Sequence, residues 1–299
     1  MRKPEQIERG ARYTPAMRVP SLLQPVLIST EASLSVAEAP RLTSANSLIS
    51  EPVPSASLSD WTDAVGRTKV SLETEGAALR GWTFANPLGN GPHVLFFNGS
   101  NAIIDDHESL YRSIAACGAT VTTFDYRGLG FSDGSADVLQ FRRDALVIYD
   151  YMAQANPASL LVFGFSMGSA MATYVASERS VAGMILAAPI ALADEEFPSY
   201  ARARGLSPAE IAQVTLADDA YLTFDELRLV AKSSAPLLVM HGDADELVPP
   251  AQGRELFEAS PAKKKEFVTL PGATHNEAAG SPLSLAAVQS FLMSLKTAS

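Results

Sequence analysis

Apolar residues along this chain fall into short continuous runs that alternate with longer segments of helical period, beginning at residue 67. Residues 67–74 alternate between apolar and polar positions, and residues 79–84 follow Glu75–Gly76, which predicts two antiparallel strands joined by a turn. Beyond them, continuous apolar runs predict strands at 93–97, 120–125, 160–165, 182–187, 236–240 and 266–270. The remaining periodic segments predict helices at 105–117, 138–154, 167–177, 249–259 and 284–295.

This alternation predicts an α/β fold, with a mostly parallel central sheet and helices on both of its faces. In such a sheet a ligand binds at the carboxyl ends of the strands. One interval, between Ala188–Pro189 and Pro236, breaks the alternation. Within it, Ser207 and Thr223 are each followed three residues later by Glu, which is the spacing of a capping box at a helix start. We therefore expect a small helical cap at 191–234.

The first 60 residues differ from the rest of the chain. They contain ten Ser, seven Pro and one Gly, and their apolar residues lack a sustained period. Because Pro breaks long helices and strands, we expect an irregular extension at 1–60 and an α/β domain at 61–299. Pro20 and Pro25 interrupt the apolar stretch that a signal peptide would need. The extension is interpreted as a tail or an arm laid along the domain, with a leader for signal-peptide-independent export as the alternative.

The net charge and the cysteine content argue against several classes of partner and location. A net charge of −10 and a pI near 4.9 disfavour nucleic acid and anionic membrane surfaces, because both attract basic patches. A single cysteine, Cys117, excludes an internal disulfide and favours a reducing compartment, so we expect a cytoplasmic location. No uninterrupted apolar run reaches the roughly 18 residues of a membrane helix, so no integral membrane segment is expected. The oligomeric state is left open.

The candidate chemistry centres on Ser166, in the sequence Gly-Phe-Ser-Met-Gly at 164–168. A buried strand that runs straight into a helix must turn sharply, and the flanking glycines let the two backbones pass closely. The Ser166 hydroxyl then stands at the tip of the turn, beside the free N–H groups of the first helical turn. Such a turn is a nucleophile elbow, which indicates nucleophilic catalysis.

A serine hydroxyl is a weak nucleophile and needs a general base that is oriented by an acid. After an elbow serine, the acid and then the histidine are expected to follow along the chain. His275 is the only one of the four histidines that satisfies this order. The candidate acids follow the predicted strand at 236–240, and they are Asp243, Asp245 and Glu246.

Three motifs in this order resemble the serine-hydrolase branch of the α/β-hydrolase superfamily. They are Gly-Phe-Ser-Met-Gly, His-Gly-Asp-x-Asp-x-x-Val-Pro at 241–249 and Gly-x-x-His at 272–275, and the resemblance covers residues 67–296. It implies that Asp245 is the acid of a triad with Ser166 and His275, and that His241 is structural. It also implies an oxyanion hole formed by two backbone N–H groups, those of Ser100 and Met167.

The chain departs from its relatives at one place in this site. Many of them have His–Gly after the strand at 93–97, where Asn98–Gly99 stands here. The oxyanion donor is a backbone group, so the chemistry should not depend on this exchange. We expect Asn98 to hold the loop by a different hydrogen bond.

The resemblance implies hydrolysis of a small-molecule carboxylic ester or thioester through an acyl-enzyme on Ser166, without a cofactor. Two alternatives stay open, namely transfer of the acyl group to an alcohol or amine, and a catalytically silent fold that binds a ligand or partner. The glycine-rich segment 124–134 is interpreted as scaffold, because no P-loop lysine follows it. No metal is expected, because His241 with Asp243 and Asp245 lacks a second His or Cys at a suitable spacing.

Overall fold

An eight-stranded sheet organises the part of the chain that this computed structural model describes, which comprises residues 41–43, 46, 56–100, 102–155, 160–203 and 205–296. These residues all belong to one compact unit, residues 39–299. Most of the extension predicted at 1–60 lies outside the described residues.

The strands of the large sheet lie in the order β10-β9-β7-β6-β4-β5-β3-β2. The strand β3 pairs antiparallel with β2 and with β5, and the other neighbours in this sheet are parallel. The fold is therefore the mostly parallel α/β sheet that the alternating pattern predicts. The strands are β1 (Arg41–Thr43), β2 (Arg67–Thr74), β3 (Ala77–Phe84), β4 (His93–Phe97), β5 (Thr120–Phe124), β6 (Leu160–Phe165), β7 (Met184–Ala187), β8 (Val214–Leu216), β9 (Leu237–Gly242) and β10 (Lys265–Leu270).

Helices cover both faces of the sheet, and two apolar clusters form the core on its two sides. The central strands β4, β6, β7 and β9 are buried almost throughout, as expected for parallel strands with helices on both faces. The α-helices are α1 (Glu108–Ala116), α2 (Val138–Ala153), α3 (Met167–Glu178), α4 (Ala193–Ala203), α5 (Pro208–Ile211), α6 (Asp218–Phe224), α7 (Glu226–Val230), α8 (Pro250–Ala259) and α9 (Pro282–Lys296).

The interval predicted as a cap contains α4 to α7 and the short strand β8. The capping box at Ser207 is present at the start of α5, with Glu210 as its partner. The box predicted at Thr223 is wrong. Thr223 donates its hydroxyl to the carbonyl of Asp219 inside α6, and Asp225 instead caps α7 by accepting from the N–H of Arg228. Glu226 therefore does not act as a capping residue, and its side chain is buried in the core.

Part of the segment predicted as irregular has regular contacts. β1 pairs in parallel with β8 in the cap. Asn46 accepts a hydrogen bond of 2.8 Å from the N–H of Val138 and donates one of 3.2 Å to Asp137, at the start of α2. At β1 the segment is thus a strand that lies along the domain, and pairing with a distant strand edge leaves no signal in local periodicity.

One stretch of the described chain, His275–Leu295, is long and apolar enough to cross a membrane by length and composition, with a mean hydropathy of 1.3. Its helical part, α9, packs against β9 and β10. Val288, Phe291 and Leu292 of α9 are buried in the core. One face of α9 therefore packs on the sheet, while Leu283 and Met293 of the same helix are exposed.

Candidate active site

Ser166 lies on the sharp turn between β6 and α3, at the carboxyl edge of the sheet. In the sheet, β6 lies between β4 and β7. Its backbone has φ 52° and ψ −124°, a conformation that costs energy for any residue with a side chain. A Cβ at position 164 would lie 2.4 Å from the carbonyl oxygen of Gly168, and a Cβ at position 168 would lie 2.1 Å from that of Phe97. Both glycines are therefore required by close backbone packing, as the elbow motif predicts.

His275 begins a short 3-10 turn, His275–Glu277, after β10. Its Nε2 lies 2.9 Å from the Oγ of Ser166, and its Nδ1 lies 2.8 Å from the Oδ2 of Asp245. Glu277 holds this turn by accepting hydrogen bonds of 2.8 Å from both the N–H and the hydroxyl of Thr274. The structure thus brings together the serine, the histidine and the aspartate that the sequence singles out.

Asp245 is buried after the end of β9. Its Oδ1 accepts hydrogen bonds from the N–H groups of Leu247 (3.0 Å) and Val248 (2.9 Å). Burial by itself would raise the pKa of this carboxyl, but hydrogen bonds from His241, His275 and the backbone outweigh burial and hold the pKa well below its usual range. Asp245 is therefore ionised at neutral pH, the state that an acid orienting a histidine requires.

The other two candidate acids are exposed. Asp243 accepts a hydrogen bond of 2.6 Å from the N–H of Gly272 and so shapes the loop that leads to His275. Glu246 lies at the surface beside it. Asp245 is the acid that contacts His275.

His241 lies closer to this array than the sequence indicates. Its Nε2 is 2.9 Å from the carbonyl oxygen of Val248 and 3.4 Å from the Oδ2 of Asp245. On the other side of the ring, no described residue offers a hydrogen bond to the buried Nδ1. A Cβ at Gly253 would lie 2.3 Å from that atom, so α8 packs directly on the imidazole. His241 thus packs against Asp245 and helps to hold its carboxylate in place.

The two expected oxyanion donors lie on segments that flank Ser166. Met167 is the first residue of α3, and the N–H groups of a first helical turn have no partner within the helix. Ser100 follows Gly99, where a Cβ would lie 3.4 Å from the Cβ of Ser166. The loop after β4 therefore passes directly beside the serine.

Asn98 holds that loop, as expected, by hydrogen bonds of its own. Its buried side chain accepts from the hydroxyl of Tyr111 at 2.5 Å and donates to the hydroxyl of Thr123 at 3.1 Å. Its carbonyl oxygen accepts from the hydroxyl of Tyr126 at 2.7 Å. These three partners thus fix the chain at Asn98, two positions before Ser100.

The glycine-rich segment 124–134 acts as scaffold. Asp125 accepts hydrogen bonds of 2.8 Å from the N–H groups of Ile104 and Phe131, which joins two loops. Burial raises the pKa of Asp125 to about 7, although these two hydrogen bonds lower it. Arg127 makes two hydrogen bonds, of 2.9 and 2.7 Å, to the buried Asp144. Within the described residues, no cluster of His, Cys, Asp or Glu could hold a metal ion.

Residues that meet at the carboxyl edge of a mostly parallel sheet, in the chain order serine, acid, histidine, place the protein in the class of α/β hydrolases. Comparison with family models gives a more specific result. The chain belongs to the family described as "Serine aminopeptidase, S33", whose model matches residues 91–217 and 213–278.

Two relatives show how the chain compares with other sequences. An uncharacterized protein of Mycobacterium tuberculosis, Rv2307c, is 30% identical over 230 residues, which cover 76% of this chain and 77% of that protein. The lysophosphatidylserine lipase ABHD12 of Danio rerio is 27% identical over 187 residues, which cover 58% of this chain and 48% of that protein. The match to the lipase thus spans about half of its length.

Two solved structures share the fold at low sequence identity. An esterase of Pyrococcus furiosus superposes with a TM-score of 0.63 and 18% identity, over 87% of this chain and 98% of the esterase. A monoacylglycerol lipase of Paleococcus ferrophilus superposes with a TM-score of 0.57 and 20% identity, over 74% of this chain and 99% of the lipase. At these identities the likeness shows the fold alone.

Proposed function

We propose that this protein is a serine hydrolase that cleaves carboxylic ester bonds through an acyl-enzyme on Ser166. The observation that carries the proposal is the continuous line of hydrogen bonds from Ser166 through His275 to Asp245. A base within 3 Å of a serine hydroxyl, oriented by a buried carboxylate, is the arrangement that activates serine for nucleophilic attack.

In the proposed reaction the Oγ of Ser166 attacks the carbonyl carbon of the ester while its proton moves to the Nε2 of His275. The negative oxygen of the tetrahedral intermediate accepts hydrogen bonds from the N–H groups of Ser100 and Met167. The intermediate collapses and releases the alcohol, which takes the proton from His275. A water molecule, deprotonated by His275, then attacks the acyl-enzyme, releases the carboxylic acid and restores the Ser166 hydroxyl.

Two similar proteins support an ester as the substrate, since one relative is a lysophosphatidylserine lipase and one structural neighbour is a monoacylglycerol lipase. A thioester would follow the same steps with a thiol as the leaving group. The description of the matching family favours a second candidate function, hydrolysis of the amide bond after an amino-terminal residue. Both functions would use the same triad.

The test is a substrate series measured on the wild type, Ser166→Ala and the control Ser109→Ala. Ser109 is exposed on α1. The series consists of p-nitrophenyl esters of increasing chain length, the matching thioesters and an aminoacyl p-nitroanilide. We expect ester turnover by the wild type and Ser109→Ala, and a loss of about 10⁴-fold or more in Ser166→Ala. Turnover of the anilide alone would favour the peptidase.

Two further measurements address the remaining alternatives. A fluorophosphonate probe should label the folded wild type at Ser166, and failure to label it would favour a silent binding module. Product analysis with an added alcohol acceptor should show the free acid as the main product. A transesterified product in excess would make the protein an acyltransferase.

A further inference from the structure

Glu226, a cap residue that the triad chemistry does not use, reaches into the core behind Ser166. It is the first residue of α7 and is fully buried. Its Oε1 lies 2.7 Å from the hydroxyl of Ser169, and its Oε2 lies 3.0 Å from the hydroxyl of Thr173. Ser169 and Thr173 are four residues apart on α3 and therefore share one face of that helix. A cap carboxyl thus binds the helix that carries the nucleophile.

Counting hydrogens restricts these hydrogen bonds. The Oγ of Ser169 accepts from the N–H of Ile190 at 3.3 Å, and it has two possible acceptors for its single hydrogen, the carbonyl oxygen of Ser166 at 2.5 Å and the Oε1 of Glu226 at 2.7 Å. The carbonyl of Ser166 also accepts from the N–H of Ser169 at 2.8 Å. When the hydroxyl of Ser169 donates to Ser166, the shorter of its two contacts, no hydrogen is left for Glu226. The contact between Ser169 and Glu226 is then a hydrogen bond only if Glu226 is the donor, and hence if its carboxyl is protonated.

The surroundings of Glu226 agree with a neutral carboxyl. Burial raises the pKa of Glu226 well above its usual range, and the neighbouring hydroxyls of Ser169 and Thr173 lower it only in part. From α3 the group meets these two hydroxyls, and from the loop after β7 it meets the N–H of Ile190. No ionisable side chain of the described residues contributes to this shift.

The backbone on the other side of Glu226 connects it to a second buried acid. The carbonyl of Ala191 accepts from the N–H of Glu226 at 3.0 Å, and the N–H of Ala191 donates to Gln252 of α8 at 2.9 Å. Gln252 in turn donates to the buried Glu196 of α4. The described groups around Glu226 are thus hydroxyls and amides, with Glu196 as the next carboxyl along this path.

We propose that neutral Glu226 is a positioning residue for the nucleophile. Glu226 donates to the hydroxyl of Ser169, and this hydroxyl donates to the backbone carbonyl of Ser166. The position of the cap helix α7 is thereby coupled to the geometry of the elbow. This inference rests on the proposed function. The carbonyl it reaches belongs to the strained residue, and an extra partner there helps to keep the Oγ of Ser166 in line with His275. Ionised Glu226 would instead accept from Ser169 and take that hydrogen away from Ser166.

The direct test compares kcat and KM of four variants for the best ester. Ser169→Ala removes the middle of the chain, and we expect kcat to fall about tenfold with KM little changed, the size expected for one lost buried hydrogen bond. The kcat of Glu226→Leu should fall by the same factor. Glu226→Gln, whose amide N–H can still donate to Ser169, should recover most of kcat. The matched control is Thr173→Val, which removes the other bond of the same carboxyl and should leave kcat within about threefold.

A pH profile adds a readout that a merely structural role would not move. The kcat of the wild type should decline on the alkaline side as Glu226 ionises, whereas Glu226→Gln should lack that decline. Combining Glu226→Gln with Ser169→Ala should cost no more than Ser169→Ala alone, because both act through one chain. If Glu226→Leu does not fold, Ser169→Ala and Glu226→Gln still decide the matter.

Two results separate the failure of this inference from the failure of the proposed function. A wild type that hydrolyses esters, together with a Ser169→Ala variant of unchanged kcat, would overturn the positioning role alone. An unchanged alkaline decline in Glu226→Gln would do the same. A wild type that neither turns over any ester nor reacts with the fluorophosphonate probe would overturn the proposed function itself.

Discussion

The Nε2 of His241 lies 3.4 Å from the Oδ2 of Asp245, the same carboxylate oxygen that contacts His275 at 2.8 Å. One oxygen of the acid therefore faces two imidazole rings, and only one of them reaches Ser166. Since the Nε2 of His241 also lies 2.9 Å from the carbonyl of Val248, this ring ties the acid to the loop that follows it. The acid is thus held from two directions, and its orientation is set before any substrate binds.

Replacing Asp245 with Asn should abolish most of the activity while leaving the fold intact. The amide keeps the size of the carboxyl but can present an N–H to the Nδ1 of His275, which favours the wrong tautomer. We expect kcat to fall by about 10⁴-fold, as in other triad hydrolases. The measurement is ester turnover with a circular dichroism check of folding.

The control for that variant is Asp243→Asn, two residues away. Asp243 is exposed and bonds the N–H of Gly272, a bond that an asparagine side-chain oxygen can keep. Its kcat should stay within about threefold of the wild type. A larger loss of kcat in Asp243→Asn than in Asp245→Asn would show that Asp245 is not the acid of the triad.

The two elbow glycines should not tolerate even one added methyl group. In Gly168→Ala the new Cβ would lie 2.1 Å from the carbonyl oxygen of Phe97. This oxygen belongs to the backbone, which cannot move to relieve the clash as easily as a flexible side chain can. We expect a loss of stability of about 1–3 kcal/mol or more and a larger loss of kcat, because the displaced segment leads to Ser100. Urea unfolding and ester turnover measure the two effects.

Gly280→Ala provides the comparison for that substitution. There the added Cβ would meet only the Cδ1 of Leu110, at 3.1 Å, which is the end of a flexible side chain. This variant should keep both its activity and its unfolding midpoint close to those of the wild type. Equal damage in Gly280→Ala and Gly168→Ala would mean that crowding at the elbow is not the cause.

Two bidentate ion pairs of the same chemistry should differ sharply in their effect on stability. Arg127 binds Asp144 in the interior, and Arg179 binds Asp150 at the surface. Asp144→Ala leaves a buried guanidinium without its counter-charge, and we expect a loss of about 3–5 kcal/mol in the free energy of unfolding. Asp150→Ala should cost about 1 kcal/mol or less, because water and salt screen the exposed pair. Urea denaturation tests both, and equal losses would contradict this account.

Local patterns predicted the sheet and the nucleophile elbow well because each depends on residues that are close together in sequence. The buried strands appear as continuous apolar runs, and β4 and β6 begin and end at the predicted residues. The elbow is contained within 164–168, where both glycines are needed by packing between adjacent segments. The order of acid and histidine then follows from the order of strands in the fold.

The parts that the sequence did not reveal depend on contacts between distant residues. The cap helix α4 contains Pro198, which counts against a helix in any local reading. β1 pairs with β8 across more than 170 positions of the chain. Glu226 has the spacing of a capping residue, but its side chain is buried and contacts Ser169 and Thr173. The pattern of apolar residues in the cap does not predict these contacts.

The pH dependence of stability should report the second buried carboxyl of the cap, Glu196. Burial raises its pKa to about 8, and the hydrogen bond from Gln252 lowers it only in part. The folded protein therefore keeps Glu196 protonated in a range where the unfolded chain, with an ordinary carboxyl pKa of about 4.3, has already released the proton. Since the folded state then binds more protons, stability must fall as the pH rises from about 4.3 to about 8.

Glu196→Gln should weaken that dependence, because the amide keeps the size of the side chain and an oxygen that can accept from Gln252. The variant should gain stability relative to the wild type as the pH rises from 5 to 9, by about 1.4 kcal/mol for each unit of pKa shift that is removed. The exposed neighbour Glu195 supplies the control, and Glu195→Gln should follow the wild type. Urea unfolding measured across this range decides the matter, and parallel curves for Glu196→Gln and the wild type would show that Glu196 is ionised in the folded state.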